Sequence, residues 1–112
     1  MYEISGVEEL VVEGVPFRQV TLTGDMSQCE YHQLVMTHDR LVRNGSGDVV
    51  IDVSKASVTT AVGMILLSLV KHLAVLGSTL HVIGDTAEPS LGRLLSSSEI
   101  RLHRSSQTLA AA

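Results

Sequence analysis

Two short apolar-rich runs open the chain, at residues 9–12 and 17–22, and predict a pair of strands. Glu13, Gly14 and Val15-Pro16 punctuate them as a turn. In the second run Phe17, Val20 and Leu22 do not alternate cleanly, and Thr23-Gly24-Asp25 ends it. The rhythm then changes: Tyr31, Leu34, Val35, His38, Leu41 and Val42 recur at helical spacing. Ser27 stands before this stretch with Glu30 three residues on, the spacing of a capping box. Asn44-Gly45-Ser46-Gly47 stops the helix. Residues 49–53 form an apolar run broken only by Asp52, which predicts a central strand covered on both faces. A second helix is expected over 61–76, with Gly77 as its C-terminal glycine. A fourth strand follows at 80–83, closed by Gly84-Asp85. Pro89 suits the first turn of a third helix that turns Leu91, Leu94 and Leu95 inward. Ile100 and Leu102 predict a short last strand, and residues 105–112 lack periodicity and read as a flexible tail.

The order β-β-α-β-α-β-α-β predicts an α/β domain over residues 1–104. Its architecture is a single mixed, mainly parallel sheet flanked by helices. Within it the second helix carries more apolar surface than a core-facing helix needs. At about 100° per residue, Val62, Ile65, Leu66, Leu69, Leu73 and Leu76 gather on the side expected to face the sheet. Ala61, Met64, Leu67, Ser68, Lys71, Ala74 and Val75 take the opposite side. Met64, Leu67 and Val75 are therefore surplus apolar residues, and such a patch predicts contact with a partner.

Composition narrows the chemistry. Across 112 residues the hydrophobic share is 45%, enough for a core without disulfides. Aromatics are 3% and Trp is absent, so the core must be aliphatic and no base-stacking platform is available. The net charge is -4 without a Lys/Arg run, which argues against a phosphate-backbone binder. Cys29 is the single cysteine, so no intrachain disulfide forms. The start MYEISGVEEL lacks a signal-peptide pattern, and the apolar run at 61–70 is too short for a bilayer. The expected location is the cytoplasm, with no direct membrane insertion.

Candidate catalytic groups find little support. The five histidines, His32, His38, His72, His81 and His103, show no metal-ligand spacing, so no metal is expected. No Gly-x-Ser-x-Gly elbow, phosphate-binding loop or dinucleotide fingerprint occurs. Cys29 reads as a half-buried structural thiol. The turn at 54–60 is richer. It holds Ser54, Ser57, Thr59 and Thr60 between a central strand and a helix N-terminus. A hydroxyl there could accept a phosphoryl group, but a helix cap needs only Thr59 or Thr60.

Five segments together resemble the STAS domain of bacterial anti-sigma factor antagonists and sulfate transporter tails. Leu22-Thr23-Gly24-Asp25-Met26 is similar to that family's Leu-Thr-Gly-Glu-Leu. Val50-Ile51-Asp52-Val53-Ser54 is similar to its Leu-Asp-Leu-Ser strand, and Gly63 to the glycine opening its switch helix. Gly77-Ser78-Thr79-Leu80 and Pro89-Ser90-Leu91-Gly92-Arg93-Leu94-Leu95 complete the set, which spans roughly residues 11–102. The resemblance implies a protein that captures a kinase-type anti-sigma factor through this turn and helix. In the family, phosphorylation of the turn ejects the partner, because negative charge enters an apolar interface. Aligned on Gly63, the acidic position here is Thr60 and the phosphoacceptor is Ala61, which has no hydroxyl.

The expectation is therefore a non-catalytic, protein-binding regulatory module without cofactors. Its contact surface is expected at Thr59, Thr60, Ala61, Val62, Gly63, Met64, Leu67 and Lys71. Phosphorylation, if any, would fall on Thr60 or Thr59. The alternative is a scaffold or accessory subunit of a signalling assembly or transporter complex, in which the helix patch would meet another copy as a homodimer or a membrane complex.

Overall fold

The computed structural model describes residues 1–43, 47–84, 100–103 and 109. The spine of the sheet is β3 (Val15–Gly24), joined to β2 (Glu8–Val12) through the two-residue turn Glu13-Gly14. Both turn residues have positive φ, at 49° and 80°, the conformation that matches the twist of a tight hairpin. Val15 and Pro16 belong to the strand, opposite Val12 and Val11. Pro16 is tolerated because parallel pairing on the other edge of β3 starts only at Phe17. The second half of that outer edge is taken by β1 (Tyr2–Ile4), antiparallel to residues 22–24. This strand was not expected: with Glu3 at its centre it is too short and too polar to show a period.

Beyond β3 the sheet continues in parallel through β4 (Asp48–Ala56), β5 (Leu80–Ile83) and β6 (Ile100–His103), in the order β1-β3-β4-β5-β6. The mixed, mainly parallel sheet and its connecting helices, α1 (Tyr31–Arg43) and α2 (Thr60–Val75), match the expected α/β architecture. The anticipated third helix after Pro89 lies outside the described residues.

Alternation along the strands sorts two clusters onto two faces. On the helix side, Val20, Leu22, Val49, Ile51, Val53, Leu80 and Val82 meet Leu34 and Leu41 of α1 and Val62, Leu66, Leu69, Val70 and Leu73 of α2. The other face carries Phe17, Val50 and Ile83, with Leu10 and Val12 packed against them. Leu109, inside the stretch expected to be a flexible tail, is 3% exposed and belongs to that second cluster. As expected, β4 is buried on both faces at Val49, Val50 and Ile51.

The helix ends show how local chemistry sets the boundaries. Ser27 does not cap α1. It donates its N–H (3.0 Å) and hydroxyl (2.6 Å) to Asp25 Oδ1, and Asp25 caps a short 3-10 turn at Met26–Gln28. A carboxylate is the stronger acceptor, so the serine becomes the donor. At the far end of α2, Gly77 takes φ 77°, as its C-terminal position predicts. Ser78 N–H reaches Leu73 O (2.8 Å) and Gly77 N–H reaches Ala74 O (3.1 Å), closing a Schellman motif. Arg18 rises from β3 on the helix side and donates Nη1–H to Leu41 O (2.7 Å) near the end of α1. Burial lowers its pKa, and its Nε and Nη2 are buried without a hydrogen-bond partner among the described residues.

Candidate functional site

The C-terminal ends of β3 and β4 meet at one rim, and α2 starts there. Parallel strands bring Gly24 beside Ala56, so the two following loops touch. Ser57 N–H donates to Gly24 O (3.0 Å), and Ser57 Oγ accepts from Met26 N–H (2.9 Å). The Ser57 hydroxyl also faces Asp25 Oδ1 (3.4 Å). Asp25 has a lowered pKa, chiefly because the Ser27 hydroxyl and then the Ser27 N–H stabilise its charged form. One residue pair earlier, Ser54 donates N–H (2.9 Å) and hydroxyl (2.7 Å) to Asp52 Oδ1. Three of the turn's four hydroxyls are thus committed to holding its shape, counting Thr59 below.

Thr59 is the N-cap of α2. Its backbone is extended (φ -91°, ψ 168°), and Oγ1 accepts from Val62 N–H (3.2 Å). Of the two capping candidates, the structure selects Thr59. Thr59→Ala should therefore lower stability by about 1 kcal/mol, as loss of a threonine cap typically does. Chemical denaturation would read this directly, and an unchanged midpoint would remove the cap assignment. Thr60 is exposed, and Ala61 is half-buried against the main core. Gly63 lies in the first turn, where its N–H bonds Thr59 O (3.0 Å). An added Cβ there would meet nothing within 4 Å, so the fold itself does not require glycine at this position.

Along α2, Val62, Leu66, Leu69 and Leu73 face the sheet as the helical spacing predicts. Val70 is buried as well, four residues after Leu66 on the same stripe. Leu76 is 48% exposed, not sheet-facing, because it is the C-cap and the chain turns away at Gly77. Leu67 is half-buried and packs against the main core. The surplus apolar surface is thus centred on Met64, 56% exposed, with Val75 at the far end and exposed Lys71 between them.

Two histidine networks lie away from this rim. Asp48 Oδ2, His81 and His103 form a chain on the sheet's second face, with contacts of 3.1 and 3.0 Å. His103 has a lowered pKa, first through burial and then through His81 and Arg101. Between the helices, Asp39 Oδ1 meets His38 Nδ1 (3.0 Å), and His38 Nε2 meets Ser68 Oγ (3.2 Å). This order of groups mimics a Ser-His-Asp triad, which sequence spacing cannot reveal. Ser68 lies inside α2, however, where the backbone N–H groups bond within the helix and provide no oxyanion hole. Among the described residues no group of three His, Cys, Asp or Glu side chains could hold a metal ion. No described helix is long and apolar enough to cross a membrane.

No protein-family profile and no curated protein matches the chain. Among solved structures, the chain is similar to an antisigma-factor antagonist STAS domain from Rhodobacter sphaeroides. The two share 22% identity and a TM-score of 0.50 over 70% of this chain and 85% of that one. The strand order, the parallel core and the helix launched from the β4 rim agree with that likeness, and the chain has a STAS-like fold.

Proposed function

We propose that this chain is a non-catalytic regulatory module that captures a protein partner of the anti-sigma-factor kind in the cytoplasm. The contact surface is the β4–α2 rim and the outer face of α2: Thr59, Thr60, Ala61, Val62, Gly63, Met64, Leu67 and Lys71. The observation that carries this reading is Met64, a large apolar side chain 56% exposed one residue beyond Gly63. Gly63 has open space above it, so a partner backbone can approach closely there. Val62 and Leu67 support the surface from beneath, since one is buried and the other half-buried.

The phosphoacceptor position holds Ala61, so partner release does not run through it. Thr60 is the exposed hydroxyl nearest to it, while Thr59 is occupied as the cap. Capture is therefore constitutive unless Thr60 is modified.

Met64→Glu places a charge into the contact without touching the core. It should reduce partner capture at least tenfold, because desolvating an unpaired carboxylate in an apolar interface is strongly unfavourable. The measurement is affinity capture with crosslinking from native lysate, wild type against variant, with circular dichroism as the folding control. An equal yield of the same crosslinked partner from both proteins would reject the surface.

A further inference from the structure

One end of the sheet is β1, and its outer edge is open to pairing. Met1 O accepts Asp25 N–H (3.4 Å) and Ser5 N–H donates to Thr21 O (2.9 Å), so the odd-numbered residues here turn their backbone groups toward β3. In an antiparallel ladder the residues between them point the other way. Tyr2 and Ile4, opposite Gly24 and Leu22, therefore present their N–H and C=O groups at the free edge. Neither a proline nor a bulge interrupts the strand to block an added neighbour.

Beside this edge, on the helix side, lies a groove of about 740 Å³. Tyr2 and Ile4 turn their side chains toward the core there, and Gln33, Met36, Thr37 and Arg40 of α1 form its opposite wall. Those four residues make one stripe of the helix. Both β1 and α1 run against β3, and the Tyr2 hydroxyl donates to Gln33 Oε1, which sets them level at one end. Tyr2 to Gly6 covers about 13 Å of strand and Gln33 to Arg40 about 10 Å of helix, so Ile4 falls level with Met36 and Gly6 with Arg40.

Charge selects the occupant. Met36 is 54% exposed and offers an apolar contact. Arg40 is exposed and has no ion pair among the described residues, whereas His32 already faces Glu30 Oε2 (3.1 Å). Glu3 borders the groove too, but it alternates with Tyr2 and Ile4, so its exposed side chain belongs to the opposite face. A second copy pairing about the middle of β1 would set Glu3 against Glu3, and like charges directly opposite are unfavourable.

We propose that this edge takes up an extended peptide segment of a protein partner as an added antiparallel strand. Its carboxylate side chain meets Arg40, an apolar one covers Met36, and a basic one on the other face stands opposite Glu3. The backbone groups of Tyr2 and Ile4 supply affinity, and the side chains select the sequence. This surface shares no residue with the one on α2, and either reading stands without the other.

The probe is the synthetic peptide acetyl-Thr-Glu-Thr-Val-Lys-Val-Thr-amide. In antiparallel register it places Glu at Arg40, the first Val at Met36 and Lys opposite Glu3. A second peptide carries Lys in place of that Glu. Amide shifts of the isotope-labelled full chain follow each titration. Wild type should bind the Glu peptide saturably, with the largest shifts and slowed amide exchange at Tyr2 and Ile4, and the Lys peptide about fivefold more weakly. Arg40→Glu changes an exposed position, so it should fold as wild type does and reverse that preference. No saturable binding, shifts that spare Tyr2 and Ile4, or an unchanged preference in Arg40→Glu would overturn the proposal. Sedimentation of the chain alone should show a monomer. A dimer with protected Tyr2 and Ile4 amides would give the edge to a second copy and overturn the peptide assignment.

Discussion

Leu69→Ala should lose about 3–5 kcal/mol of folding stability, the upper part of the range for a leucine truncated in a packed core. Leu69 is 1% exposed and sits where α2 crosses the sheet, in the cluster that holds Val20, Leu22, Ile51, Val62 and Leu66. Two features put the effect high. The one ring lining the space beside Leu69 is His38, which its contacts with Asp39 and Ser68 hold in place, and the other described lining residues are aliphatic apart from Thr37. In addition, a cavity of about 20 Å³ already lies beside Leu69, lined by Val20, Leu34, Leu41 and Ile51 among others. That space holds about one water at most. Removing three carbons, one methine and its two methyls, enlarges an existing defect instead of inviting collapse. Total stability for a domain of this kind is about 5–15 kcal/mol, so the substitution removes a large share of it. Urea denaturation is the measurement. The midpoint should fall while the slope stays that of wild type, and a loss below about 1 kcal/mol would mean that Leu69 is not packed as described.

The same core explains what could be read from sequence. Strands β3, β4 and β5 were legible because Val, Ile and Leu concentrate where both faces are covered, and α1 because its apolar residues follow one stripe. The second helix was legible in existence but not in facing. It is apolar nearly all round, so periodicity alone cannot separate Leu67, half-buried, from Met64, exposed. Its end was fixed by Gly77, but Leu76 was misplaced because a cap residue no longer follows the helical angle. Short-range capping was read at the wrong residue for a related reason. Ser27 and Asp25 both suit a cap, and the choice depends on which side chain the loop geometry turns toward the free N–H groups. The candidate rim was legible as polar turn chemistry, through Ser57 and Thr59. Its links to Gly24 and Asp25 were not, since they join residues more than thirty positions apart. The histidine clusters are invisible in sequence for that reason too: the partners His38 and His72 meet only through packing of α1 on α2.

Gly24→Ala should act on both the fold and the rim. Gly24 ends β3 with φ 84°, a conformation that opposes any side chain by about 1–2 kcal/mol. A Cβ at that position would also lie 2.0 Å from the Met1 carbonyl oxygen, inside hard contact. The clash cannot be relieved by a rotamer, because the obstacle is backbone. Either Met1 and the start of β1 move away from β3, or Gly24 rotates and carries Asp25 with it. Moving β1 forfeits the pairing of Tyr2 with Gly24 and the hydrogen bond from the Tyr2 hydroxyl to Gln33 Oε1. Rotating Gly24 disturbs the carbonyl that accepts Ser57 N–H, and with it the turn that starts α2. The expected loss is about 2–3 kcal/mol, with faster amide exchange at Ser57 and Met26. The two contributions separate in a chain lacking residues 1–5. There the clash partner is gone, so the same substitution should cost only the backbone part, about 1–2 kcal/mol. An equal penalty in the full and shortened chains would show that Met1 does not press on Gly24. A negligible penalty in both would show that residue 24 does not need its positive φ.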